Sequence, residues 1–283
     1  MKNLFGIMQG RLLPKYLGKY QAHPFGYWED EFKIASKLGF NCIEFILDLD
    51  KADLNPLLSS SGLKSILKHS KNNNILIKSI CADYFMDSPI FIEDETIRNK
   101  NFNVLKKLIK NSAIIGVEDI IIPLVDNSSV LGNSKKKNIV IRFIKEICGQ
   151  IEGNKLNICL ETDLPAKEFL NFVNDINEPQ VKINYDTGNS VSLGYDFREE
   201  LDLYGHLITN IHLKDRKFKQ GSVQLGLGDC NFKFFFKYLS TRNFKGIFIL
   251  QAFRGEDGIS SLKPQYKFIK SCIDKYYFNS VSN

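Results

Sequence analysis

Four polar residues end four apolar runs in the second half of the chain. The runs are Cys159-Leu160-Glu161, Tyr185-Asp186 after Ile183, Ile211-His212 after Asn210, and Ile249-Leu250-Gln251. Two carboxylates, an imidazole and an amide oxygen make a mixed oxygen and nitrogen donor set. Such a set suits Mn²⁺, Co²⁺, Mg²⁺ or Zn²⁺. Each residue also has a plainer role. An acid at a strand end commonly caps a helix, and Asp186 before Thr187-Gly188-Asn189 can cap a turn. A histidine in an apolar run is more often a satisfied core residue than a ligand. Four in succession are harder to explain one by one, because an unpaired buried charge is expensive. Together they point to a metal or substrate site.

Residues so far apart in sequence meet only if the fold gathers strand ends. Eight short apolar runs alternate with longer amphipathic stretches: Leu4 to Met8, Cys42 to Ile46, Ile77 to Ala82, Asp119 to Leu124, Asn157 to Glu161, Val181 to Asp186, Ile208 to Leu213 and Gly246 to Gln251. They are continuously apolar, as parallel strands buried on both faces are. Tyr27 to Leu38, Ile97 to Ile115 and Ser260 to Phe278 repeat apolar residues at helical spacing. Eight units in 283 residues average about 35 residues each, a normal βαβ length. Closing them predicts one domain over residues 1–283, a (β/α)8 TIM barrel of the α/β class. An open Rossmann sheet needs a glycine-rich turn after the first strand. Met8-Gln9-Gly10-Arg11-Leu12 is no such turn, and the lone Gly226-Leu227-Gly228 is weak evidence. In a barrel, chemistry sits at the C-terminal ends of the strands.

Other residues near those ends can read a substrate. Gln9 and Arg11 follow the first strand, and the Arg11 fork suits a phosphate or carboxylate, or an ion pair at the rim. His23, in an aromatic-rich loop, is a candidate general acid. Glu44 ends the second strand and is a candidate acid or base at the same mouth. The stretch from Lys214 to Gly228 carries Arg216, Lys217 and Lys219 and is long enough for a lid over an anionic substrate. Arg254 adds another anion contact.

The composition permits this. Hydrophobic residues are 43% and charged residues 25%, which excludes disorder, collagen and coiled coil. No run approaches the roughly 18–20 apolar residues of a membrane helix, and the N-terminus lacks a signal-peptide pattern. A cytoplasmic protein is expected, with no membrane partner. Six cysteines without a C-x-x-C pair fit a reduced compartment. The formal charge is +6, and Lys135-Lys136-Lys137 reads as a solvated helix start, so no nucleic-acid partner is expected.

The chain resembles the sugar phosphate isomerase/epimerase family, the xylose-isomerase-like barrels. The resemblance is carried by Gly6-Ile7-Met8-Gln9-Gly10-Arg11-Leu12, Gly39-Phe40-Asn41-Cys42-Ile43-Glu44, Leu160-Glu161-Thr162, Asn184-Tyr185-Asp186-Thr187-Gly188-Asn189, Ile211-His212-Leu213-Lys214-Asp215 and Gly226-Leu227-Gly228. It implies a divalent metal ion on Glu161, Asp186, His212 and Gln251, and a small sugar or sugar derivative as substrate. It also implies pairing of copies into a homo-oligomer. Proton transfer through an enediolate would use Glu161, with Lys214 and the metal stabilising the charge. Asn189 would touch substrate. The family's epimerases carry a second glutamate where this chain has Gln251. An amide can ligate but cannot act as a base. The resemblance therefore leaves open a single-base isomerisation through Glu161, or a relocated second acid at Glu44, Asp83 or Asp126. A lyase acting on a polyol or keto acid and a catalytically degenerate sugar-binding barrel are the alternative functions. The AP endonucleases share the barrel but need more histidines than the four present.

Overall fold

The computed structural model describes residues 4–151, 155–242 and 244–278. The expected strands form as β1 (Phe5–Met8), β2 (Cys42–Ile46), β3 (Ser79–Cys81), β4 (Asp119–Leu124), β5 (Asn157–Thr162), β6 (Val181–Asp186), β7 (Ile208–Leu213) and, after a hairpin, β10 (Ile247–Leu250). They close into a parallel barrel in the order β1-β10-β7-β6-β5-β4-β3-β2. The hairpin, β8 (Asp215–Arg216) with β9 (Ser222–Val223), lies outside the barrel. β3 is shorter than the apolar run Ile77 to Ala82. The first helix runs only over Asp30–Leu38, because residues from Tyr27 to Glu29 are held in turns. The final helix ends at Cys272 and passes into a π-helical stretch, Ile273–Phe278. Among the described residues no helix is long and apolar enough to cross a membrane.

Continuous apolarity works because each strand feeds two cores. The barrel interior packs Met8, Cys42, Ile46, Cys81, Ile121, Cys159, Ile247 and Ile249. The outer faces pack against the helices through residues such as Phe32, Phe45, Leu105, Phe236 and Phe248. The interior is tightly packed around Gly6. A Cβ on Gly6 would lie 2.5 Å from the Cys42 sulfur and 2.7 Å from Ile249 Cδ1. This filled layer is the floor on which the polar residues at the C-terminal strand ends stand.

The stretch after β7 is clamped rather than loose. Buried Asp215 accepts backbone N–H bonds from Gly226 at 2.8 Å, Gly228 at 3.0 Å and Cys230 at 3.1 Å. Gly226 has φ +90°, and a Cβ on Gly228 would fall 2.1 Å from Asp215 Oδ1. The Gly-Leu-Gly sequence thus lets the backbone wrap a carboxylate. Asp215→Ala removes three bonds to a charged acceptor, on the order of 3 kcal/mol of local stability. We expect limited proteolysis within residues 216–228 to speed up by tenfold or more while the circular dichroism of the barrel stays unchanged.

Candidate active site

Side chains two apart on a strand share a face. Asn184 therefore joins Asp186 inside the barrel, and Asn210 joins His212. Glu161, Asp186 and His212 each offer a ligand atom, and these atoms lie within 4.8 Å of one another. All three residues are buried. Asn184 Nδ2 donates to Glu161 Oε2 at 2.6 Å and lies 3.1 Å from His212 Nδ1. Asn189 Nδ2 donates to Glu161 Oε1 at 2.7 Å, so both oxygens of that carboxylate are oriented. Asp186 Oδ1 caps the following helix through the N–H groups of Gly188 and Asn189, both at 2.8 Å. Its Oδ2 faces Lys214 Nζ at 3.3 Å. Capping thus occupies one of its two oxygens and leaves the other turned to Lys214.

Glu44 lies beneath this cluster rather than at the mouth. It sits in the middle of β2 with no solvent exposure. Its Oε2 accepts from Ser79 Oγ at 2.6 Å and Asn210 Nδ2 at 2.9 Å, and its Oε1 lies 2.7 Å from His212 Nε2. Shielded from substrate, it positions His212. A hydrogen on Nε2 leaves the Nδ1 lone pair turned toward Glu161, 3.4 Å away. Burial opposes charge on His212, but Glu44 and Glu161 outweigh it and raise its pKa to about 10. A cation that takes Nδ1 must displace that proton.

The first-strand residues expected to read substrate are used otherwise. Gln9 Oε1 accepts from Ile46 N at 3.0 Å and pairs with His23 Nδ1 at 2.9 Å. His23 is fully buried among Phe25, Trp28 and Phe45, and burial drives its pKa down to about 3. It is neutral and cannot serve as a general acid at ordinary pH. Arg11 donates to the Tyr20 carbonyl at 3.1 Å and to Gln21 Oε1 at 2.7 Å. Arg254 donates to the carbonyls of Leu13 at 3.1 Å and Pro14 at 2.7 Å. These guanidinium groups fasten the loop after β1 in place of gripping an anion. Arg216 does reach the cluster, donating to Asn189 Oδ1 at 3.0 Å. Asp126 is exposed.

Gln251 follows β10 and is buried; its Nε2 donates to Gln21 Oε1 at 3.0 Å, while its Oε1 has no partner among the described residues. Gln21, Asn184, Asn210 and Ser79 were not singled out from sequence. Two of them were within reach of the strand period, since Asn184 and Asn210 precede Asp186 and His212 by two. The clustered Glu161, Asp186 and His212 atoms and the Gln251 oxygen together fit a divalent ion.

A family model described as a xylose isomerase-like TIM barrel matches residues 32–272, and the chain belongs to this family. The L-ribulose-5-phosphate 3-epimerase UlaE of Escherichia coli (strain SMS-3-5 / SECEC) is 23% identical over 273 residues, covering 92% of this chain and 95% of the relative. Two solved structures share the fold. 3-Keto-D-glucoside 4-epimerase, YcjR, from E. coli has a TM-score of 0.74 at 14% identity, covering 96% of this chain and all of that one, 100%. The IOLI protein with a binding zinc atom has a TM-score of 0.76 at 16% identity, covering 97% of this chain and 99% of that one.

Glu44→Gln removes the charge behind His212 and sets an amide NH₂ against the Ser79 and Asn210 donors. Loss of such a supporting partner typically costs about 10–100-fold in metal affinity, and we expect Mn²⁺ affinity by calorimetry to fall in that range. The raised His212 pKa gives a second expectation. Between pH 7 and 9 the metal-free histidine holds its extra proton, so Mn²⁺ affinity rises with pH in this window. Calorimetry at pH 8 in buffers of differing ionisation enthalpy should show close to one proton released per ion in the wild type, and fewer in Glu44→Gln, whose His212 pKa is lowered.

Proposed function

We propose that this chain is a sugar or sugar-phosphate isomerase/epimerase that moves a proton at the carbon beside a carbonyl, with Glu161 as the base. The observation that carries the reading is the convergence of Glu161, Asp186 and His212 at adjoining strand ends. These residues, with Gln251 as a weaker fourth donor, would hold one ion of the Mn²⁺, Co²⁺, Mg²⁺ or Zn²⁺ type. When bound, it would supply polarisation of the carbonyl and hydroxyl oxygens. The zinc-bound relative in fold and the sugar epimerases among the similar proteins support this reading. The substrate partner is a small sugar or sugar derivative, and a cytoplasmic setting suits a sugar-metabolising enzyme with six free cysteines.

The protein's own groups divide the work. Asn184 and Asn189 each donate to one oxygen of Glu161 and hold the carboxylate in one orientation. Glu161 takes the carbon-bound proton. Lys214 Nζ, held between Asp186 Oδ2 and Asn189 Oδ1 at 3.3 and 3.5 Å, offers positive charge to the enediolate oxygens. Arg216 and Asn189 form one wall against which substrate hydroxyls or a phosphate can hydrogen-bond. A catalytically degenerate barrel would not need this orientation of both Glu161 oxygens.

The test is exchange in D₂O with Mn²⁺-loaded protein and a panel of free 2-ketoses and their 5-phosphates, L-ribulose 5-phosphate included. Deuterium should enter beside the carbonyl of at least one member. Glu161→Gln should lower that exchange by about 10²–10⁴-fold while metal stays bound. A metal-loaded wild type inert toward the whole panel, or a Glu161→Gln protein with near-normal exchange from every ketose the wild type exchanges, would overturn the reading.

A further inference from the structure

Two-base epimerisation needs a proton donor on the face of the carbon opposite the base, and Gln251 cannot be that donor. The donor set occupies one side of the mouth, at the ends of the adjoining strands β5, β6, β7 and β10. β3 stands directly across the closed barrel from β7. Two residues beyond β3 is Asp83. It precedes the short helix Tyr84–Asp87 yet makes no side-chain capping bond to it. Its carboxylate instead receives Gln21 Nε2 at 2.7 Å on one oxygen and the Cys81 thiol at 3.2 Å on the other.

The other candidates for a relocated acid are occupied or misplaced. Glu44 is sealed beneath His212, and Asp126 is exposed at the rim. Asp83 is half-buried, and close enough to Glu161 and His212 for both charges to act on it. A hydrogen-bond chain ties it to the position of the missing glutamate. Gln251 Nε2 donates to Gln21 Oε1 at 3.0 Å, and Gln21 Nε2 then donates to Asp83. Arg11 donates to the same Gln21 oxygen at 2.7 Å, which fixes the amide's direction. A glutamate at 251 would set a carboxylate oxygen against Gln21 Oε1 and break the chain.

From this arrangement we propose that Asp83 is the second proton-transfer residue, replacing the carboxylate absent at position 251. The assignment rests on the epimerase reading above. Glu161 removes the proton from one face of the carbon and becomes a carboxylic acid, leaving an enediolate. Protonated Asp83 gives its proton to the opposite face and becomes a carboxylate. Two exchanges with water return both groups to their starting states, so no oxidant or further reactant is needed. Burial, with Glu161 nearby, raises the Asp83 pKa against the lowering by its Gln21 and Cys81 hydrogen bonds, and so favours the donor form.

The test follows each epimer separately. L-Ribulose 5-phosphate and L-xylulose 5-phosphate differ only at C3, and each is incubated in D₂O with Mn²⁺-loaded protein. Asp83→Asn, which keeps the side-chain shape, should retain C3 exchange from one epimer within about fivefold. It should lose exchange from the other, and net interconversion, by about 10²–10⁴-fold. Glu161→Gln should show the opposite preference. Asp83→Ala, checked by circular dichroism and Mn²⁺ titration, is a second variant for the same split. Equal slowing from both epimers would make Asp83 a structural residue and overturn the proposal, as would unchanged interconversion in either variant. A wild type that exchanges neither epimer while exchanging another ketose of the panel would overturn this two-base route at C3 and leave the broader isomerase reading standing. Inertness toward the whole panel would remove both.

Discussion

Everything at the mouth of this barrel depends on one contact below it, the Glu44 carboxylate against His212 Nε2 at 2.7 Å. Neither side chain has solvent exposure. Such a pair repays its desolvation only when the remaining lone pairs and protons are satisfied. Ser79 and Asn210 supply that satisfaction from β3 and β7. The contact therefore does two things. It gives β2, β3 and β7 a polar reason to hold their places around the barrel, and it turns His212 Nδ1 toward Glu161. Asn184 and Asn189 then orient Glu161 around that fixed nitrogen, and Asp186 is fixed by the helix it caps.

The mouth has two halves with different physics. The half built by β5, β6, β7 and β10 carries the donor set and Lys214. The half built by β1 to β4 is organised by the loop after β1. Arg11 and Arg254 are spent on that loop's carbonyls, and buried Glu31 accepts the N–H groups of Gly10 at 2.7 Å and Leu12 at 3.1 Å. Burial raises Glu31 to a pKa of about 7 despite these bonds and the two arginines nearby. The loop places Gln21 where the halves meet. An amide suits that seam because it donates on one side and accepts on the other, and Gln251 facing it is an amide for the same reason.

The strands were legible because parallel strands buried on both faces read as uninterrupted apolar runs, and β1, β3 and β10 came out shorter than their runs. The candidate ligands were legible because each closed one of those runs. Direction along the barrel axis was not. Glu44 belongs to the same kind of run as Glu161, yet Cys42–Ile46 extends two residues beyond it, which sinks it into the interior. Arg11, Arg254 and His23 have the chemistry of substrate contacts, but the loop after β1 folds inward on its own Arg11 and His23, and Arg254, beyond β10, is drawn to that loop's carbonyls. Gln21 carries no sequence signal, since it belongs to no periodic element and its role arises from Arg11, Asp83 and Gln251 meeting it in space.

Charge explains why an amide can replace a carboxylate at position 251 without making the site useless. Glu44, Glu161 and Asp186 bring three negative charges close together, with Lys214 as the nearby lysine. A divalent ion held there would balance them together with that lysine and a neutral His212. A fourth carboxylate would leave the loaded site negative. That would hold the metal more tightly, but it would disfavour an enediolate, which gathers negative charge where Lys214 stands. Coulomb terms act strongly in a site so poor in water. On the proposed reading, the neutral Gln251 would exchange some grip on the cation for a better reception of an anionic intermediate or a phosphorylated substrate. The proposed two-base route then needs its second acid elsewhere, and Asp83 would meet that need from across the barrel, where its protonated form would add no charge.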